Sequence, residues 1–75
     1  MTVVVVWSKD NCPSCDSAKK LLKLKGVEFE ERNLSSGKWS KEDLLEAAPS
    51  ARSVPQIFFG EIHVGGFEEL KERLG

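Results

Sequence analysis

A chain of 75 residues has room for one small domain spanning 1–75, since folding at this length buries only about 60% of the surface that the unfolded chain exposes. Hydrophobic residues make up 40% and charged residues 31%, with 11 Lys and Arg against 12 Asp and Glu. That balance suits a soluble globular protein and gives no reason to expect nucleic acid or an anionic membrane as partner. The longest apolar run, residues 3–7, is far shorter than the roughly 20 residues of a membrane span. Nothing basic precedes it as in a secretory signal, so a cytoplasmic protein is expected.

Residues 2–7, with four consecutive valines, predict a strand covered on both faces, because β-branched side chains without polar alternation suit a central position. Residues 13–25 turn helical. Cys15, Ala18, Leu21, Leu22 and Lys25 fall near one stripe, Lys19, Lys20 and Lys23 face out, and Gly26 stands where a left-handed cap is wanted. Pro13 suits the first helical position, where its missing N–H would be unpaired anyway, so Cys12 becomes the N-cap.

Residues 27–34 alternate, with Val27, Phe29 and Leu34 inward and Glu28, Glu30 and Arg32 outward, as in an edge strand. After a loop at 35–38, Ser40 opens a second helix by capping the N–H of Asp43, with Trp39 placed to staple against Leu44. This helix stops before Pro49. Residues 57–59 and 62–64 form a hairpin around Gly60 and Glu61, Gly65 and Gly66 break the pairing, and Phe67, Leu70 and Leu74 recur at helical spacing to the end. The resulting order is β-α-β-α-β-β-α, with the first β-α-β unit right-handed and its strands parallel.

The two cysteines, Cys12 and Cys15, close a loop too short to act as a stabilising staple. Structural zinc would need two more Cys or His ligands, and the chain has only His63. A redox-active dithiol remains, and the strand-to-helix junction around it is the context such a motif requires. Only the thiolate exchanges with disulfides, and an ordinary thiol with pKa about 8.5 is a few per cent ionised at neutral pH. At the N-terminus of the first helix, Cys12 faces unpaired N–H groups, and Lys9 can add positive charge. Cys12 is therefore expected to be the nucleophile. Cys15, one turn further in, is expected to be the more buried, resolving thiol.

Three other features bear on a binding site. Pro55, just before the third strand, suits either a plain loop end or a cis bond that turns the Val54 backbone toward Cys12 for an extended, thiol-bearing substrate. Gly65, Gly66, Phe67, Glu68 and Glu69 place bare N–H groups at the start of the last helix, where the acidic pair can take a ligand ammonium or simply cap the helix. Arg52 can steer a carboxylate or be solvated. Trp7, Trp39 and His63 are expected to be packing or surface residues.

Together these residues resemble the glutaredoxins of the thioredoxin-fold family over nearly the whole chain. Lys9-Asp10-Asn11-Cys12-Pro13-Ser14-Cys15 is similar to the family's K-x-x-C-P-Y-C, Arg52-Ser53-Val54-Pro55-Gln56-Ile57-Phe58 to its R-T-V-P-Q-I-F, and Gly65-Gly66-Phe67-Glu68-Glu69-Leu70 to its G-G-x-D-D-L. The resemblance implies an α/β thioredoxin-like fold, a four-stranded mixed sheet in the order β2-β1-β3-β4 flanked by three helices, and a cis Pro55. It implies that Cys12 attacks disulfides and glutathionylated proteins, that Cys15 resolves the intermediate, and that glutathione recharges the enzyme as a co-substrate, with no tightly bound cofactor. Lys9, Pro13, Ser14, Arg52, Val54, Pro55, Gly65, Gly66, Phe67 and Glu68 would form the glutathione site of a monomer. Ser14 stands where the family has Tyr, and Glu68 where it has a shorter Asp or Ser.

Three alternatives remain at this point. The first is a glutaredoxin-like redoxin recharged by thioredoxin reductase and serving ribonucleotide reductase. The second is a [2Fe–2S] carrier, against which Pro13 counts, because cluster-binding members usually have another residue there. The third is a redox-inert binding module on the same fold.

Overall fold

The computed structural model describes residues 3–74. The first strand, β1 (Val4–Ser8), is buried along its whole length; Thr2, expected at its start, lies outside the described residues. The strand also runs one residue further than expected. Ser8 pairs with Asn33, and its hydroxyl donates to Glu31 Oε2 at 2.7 Å, which lets a polar residue be fully buried without a loss of hydrogen bonding.

The helix α1 (Pro13–Leu24) buries Cys15, Ala18 and Leu22. Its end explains Gly26: with φ at +71°, that residue lets its own N–H reach the Lys23 carbonyl at 3.1 Å and the Val27 N–H reach that of Leu22 at 2.9 Å. This pair of bonds satisfies carbonyls the helix would otherwise leave open, and the apolar contact that accompanies such an ending is supplied by Val27 and Leu22 in one core cluster. Lys25, expected on the inner stripe, is the exposed C-cap.

The second strand, β2 (Glu30–Asn33), is shorter than residues 27–34, because Leu34 already begins a 3-10 turn, Leu34–Ser36, closed by Gly37. Phe29 and Leu34 both pack inward but on opposite faces of the sheet, as strand parity requires when both faces are covered. Arg32, expected in solvent, lies over the rings of Trp7 and Trp39, 5.1 and 4.5 Å from their centroids, a cation–π arrangement. The second helix, α2 (Lys41–Ala47), starts as expected: Ser40 accepts from the Asp43 N–H and Asp43 returns a carboxylate to the Ser40 N–H. Trp39 and Leu44 share one cluster.

The hairpin comprises β3 (Gln56–Phe59) and β4 (Ile62–Gly65), with Gly60 at φ +64° in its turn. Gly65 does not break the pairing as expected; it still lies opposite Ile57. The last helix, α3 (Phe67–Leu74), buries Leu70. The sheet order is β2-β1-β3-β4, with β1 parallel to β2 and antiparallel to β3. Val4, Val6 and their sheet neighbour Ile57 pack with Ala18, Leu22 and Leu70, while Val5 and Trp7 pack with Leu44 and Ala48. Val4 to Trp7 are thus divided residue by residue between the α1/α3 layer and the α2 layer, whereas Val3, expected in the covered strand, lies before it and is exposed. Each fully buried aliphatic contributes about 1.5–3 kcal/mol. No helix among the described residues is long and apolar enough to cross a membrane.

Lys19 corrects the picture of α1 as a wet lysine face. Its Nζ donates to Glu31 Oε2 at 2.8 Å, the same oxygen that accepts from Ser8, so one carboxylate ties α1, β2 and the end of β1 together. The Lys19 hydrogen bond, followed by that of Ser8, holds the Glu31 carboxyl below its ordinary value, and the bond to Glu31 holds Lys19 above its own. The contribution of Glu31 is fully present above its ordinary value of about 4.5 and is lost as pH falls through the lower folded value. Glu31→Gln is expected to flatten the acid limb of a stability-against-pH curve between the ordinary and the lower folded value in urea titrations; an unchanged acid limb would show the pair to be inert.

Candidate active site

The chain leaves β1 at Ser8 and must turn sharply to start α1 at Pro13. Asn11 takes a left-handed backbone, φ +55°, which Asn tolerates better than most residues. The turn is tied to the segment after β2: the Asp10 N–H donates to Ser35 Oγ at 3.0 Å, and Asn33 Nδ2 donates to Asp10 Oδ1 at 3.1 Å. Cys12 is the N-cap, and its Sγ accepts the Cys15 N–H at 3.2 Å. Pro13 follows at the first helical position.

Cys12 and Cys15 are joined as a disulfide, with Cα atoms 5.3 Å apart, inside the usual range for such bridges. Cys12 is 7% exposed and Cys15 fully buried, so an incoming molecule meets Cys12 first. Cys12 Sγ lies 3.8 Å from the Val54 carbonyl oxygen. The Val54–Pro55 peptide is cis, and Pro55 is buried.

Val54 divides two depressions. On the α3 side, Ser14, Val54, Pro55, Gly66, Phe67 and Glu68 come together, joined by Ser53 and Glu69. Lys9 and Arg52 instead line a groove on the α2 side, so the residues expected to form one pocket are split across the two flanks. Gly65, expected in the same site, lines neither depression. At φ +118°, it passes so close to Glu69 that an added Cβ would stand 2.8 Å from Glu69 Oε1. The same oxygen accepts the Gly66 N–H at 2.8 Å. Of the two readings left open for the acidic pair, Glu69 takes the capping role, while Glu68 lines the depression.

The sequence reading missed one chain of contacts. Gln56, nearly buried, donates from Nε2 to the Ser53 carbonyl at 2.9 Å, and its Oε1 meets His63 Nε2 at 2.7 Å. A carbonyl can only accept, so the Gln56 amide must point its nitrogen at Ser53 and its oxygen at His63. His63 Nε2 therefore carries a hydrogen. The ring is also stacked on Phe58, with centroids 4.6 Å apart. His63 thereby fixes, through Gln56, the backbone just before Val54. A buried Gln in a strand is the signal that could have prompted a search for such a partner.

Among the described residues, no three His, Cys, Asp or Glu side chains gather as metal ligands. His63→Phe keeps a ring on Phe58 but leaves Gln56 Oε1 without its donor. It is expected to cost about 1 kcal/mol in denaturant titrations, the low end of the range because water can reach the site, whereas His63→Gln, which retains a donor, is expected to cost less. Equal losses for the two variants would remove the hydrogen bond from the account.

The glutaredoxin family model matches residues 4–64. A glutaredoxin of Pseudomonas aeruginosa is 42% identical over 77 residues, covering the whole of this chain and 90% of that one. Glutaredoxin 3 of Escherichia coli is 36% identical over 70 residues, covering 93% of this chain and 83% of its own. Among solved structures, a buckwheat glutaredoxin–glutathione complex is similar with a TM-score of 0.80 at 29% identity, covering 97% of this chain and 68% of that one.

Proposed function

Because this chain belongs to the glutaredoxin family, we propose that it is a cytoplasmic dithiol oxidoreductase coupled to glutathione, with Cys12 as nucleophile and Cys15 as resolving thiol. The observation that carries this reading is the position of Cys12 Sγ as the cap of α1, accepting the Cys15 N–H. Unpaired N–H groups and the positive end of the helix dipole favour the thiolate over the thiol. The match over residues 4–64 supports reading the chain as one glutaredoxin domain.

In the reduced enzyme, the Cys12 thiolate attacks one sulfur of a substrate disulfide. The substrate's S–S bond breaks, a Cys12–substrate disulfide forms, and the departing sulfur leaves as a thiolate that takes up a proton. Cys15, as thiolate, then attacks Cys12 Sγ. The substrate leaves as a dithiol, having gained two electrons, and the enzyme is left with the Cys12–Cys15 bond. Two glutathione molecules restore the dithiol and become glutathione disulfide. With a glutathionylated protein, Cys12 alone suffices: it takes the glutathione, and a second glutathione removes it.

The glutathione complex of the buckwheat relative supports glutathione as the co-substrate here. Lys9 and Arg52 are exposed, suited to a carboxylate of the tripeptide; Val54 would meet its cysteine, and Gly66, Phe67 and Glu68 its γ-glutamyl end. Two observations favour a second reading. Glu69 occupies the Gly66 N–H, which is then not free for the carboxylate of the zwitterionic γ-glutamyl end, and Ser14 leaves that wall without an aromatic ring. A redoxin recharged by thioredoxin reductase, with ribonucleotide reductase as substrate, uses the same two cysteines without needing that site.

NADPH consumption distinguishes the readings. Turnover of a glutathione mixed disulfide with glutathione and glutathione reductase supports the first; turnover only with thioredoxin reductase and a protein disulfide supports the second. In the first system, Cys15→Ser is expected to abolish protein-disulfide reduction while sparing deglutathionylation, and equal loss of both would contradict the role of Cys15.

A further inference from the structure

The groove on the α2 side of Val54 is about 240 Å3 in volume. Leu34, Leu44 and Leu45 form its floor, and Lys9, Lys41 and Arg52 line it with no carboxylate among the lining residues. In a chain of net charge −1, this is a local concentration of positive charge against an aliphatic surface. The neighbouring carboxylates are turned elsewhere: Asp10 accepts from Asn33 Nδ2, and Asp43 from the Ser40 N–H. Among the described residues, none of the three cations forms an ion pair.

Lys41 is the most informative of them. It is the first residue of α2, where the positive end of the helix dipole disfavours a cation. Helix stability gives no reason for a lysine there. Across Val54, the other depression carries Glu68 and Glu69, so the charge changes sign from one side of the Cys12 approach to the other.

We infer that this groove docks an acidic, aliphatic-bearing extended segment of the disulfide-carrying protein substrate, adjacent to the cysteine under attack. A substrate carboxylate meets Lys41 and Arg52, and a leucine-like side chain covers the aliphatic floor. Val54, which lines the groove and faces Cys12 Sγ, links the docked segment to the reacting sulfur. The inference rests on the dithiol chemistry proposed above, and it adds a charge preference that a small neutral disulfide, with no carboxylate to place on Lys9, Lys41 or Arg52, does not sense.

The test uses four peptides with the same internal disulfide, flanked by Glu-Leu, Gln-Leu, Lys-Leu or Glu-Ser, alongside a small neutral disulfide, bis(2-hydroxyethyl) disulfide. The wild type is expected to favour Glu-Leu over Lys-Leu by roughly tenfold in kcat/KM at low salt, mainly through KM, with the preference shrinking as salt rises. Lys41→Glu is expected to abolish or invert that preference without changing kcat/KM for the small neutral disulfide. Leu45→Ser is expected to reduce discrimination between Glu-Leu and Glu-Ser flanks. Equal kcat/KM for the Glu-Leu, Gln-Leu and Lys-Leu peptides, or a Glu-Leu preference that survives Lys41→Glu, would overturn the docking groove while leaving the chemistry standing. Failure to turn over the small substrate or any peptide would overturn the dithiol reading itself.

Discussion

The first turn of α1 contains N–H groups that have no carbonyl partner within the helix, and the chain places a sulfur, not a hydroxyl or carboxylate, among them. Cys12 Sγ takes the Cys15 N–H, the bond a Ser or Asp cap would make elsewhere. For that to matter chemically, the helix start must be held fixed against the sheet. Ala18 and Leu22 anchor α1 on Val6, the Gly26 turn closes its far end, and Glu31 ties Lys19 to Ser8 across the β1–β2 edge. The turn through Asp10 and Asn11 is fastened to Asn33 and Ser35. Sheet, helix and loop all locate one sulfur atom.

The second contribution comes from the far side of the sequence. Val54 brings a backbone carbonyl to 3.8 Å from Cys12 Sγ, and the Ser53 carbonyl before it is gripped by Gln56, itself oriented by His63. Around this fixed point the surface is polarised, basic over the aliphatic floor beside α2 and acidic at the start of α3. The chemistry at the sulfur is common to any disulfide; the two flanks are where substrates can be told apart.

Much of this was legible in the sequence. The valine run, the Pro13 start, the Ser40 cap and the Gly60 hairpin each carry a local rule strong enough to locate an element, and the spacing of Cys12 and Cys15 at a strand-to-helix junction identified the reactive pair. Their order of burial was equally legible, because one is a cap and the other lies a turn inside. Element ends were less so: Ser8 and Leu34 joined or left strands according to partners far away in sequence. The polar contacts were hidden for the same reason. Lys19, Arg32 and His63 all carry patterns typical of solvated residues, and only the folded sheet brings Glu31, the two indoles and Gln56 against them. The split of Lys9 and Arg52 from Glu68 likewise follows from Val54 standing between them, which no motif spacing encodes.

The central claim is that position at the helix start makes Cys12 a thiolate near neutral pH. Titrating it in the Cys15→Ser protein, by thiolate absorbance together with the pH dependence of alkylation, tests this directly. The account requires a midpoint well below the ordinary thiol value of about 8.5. A midpoint at or above that value would contradict it.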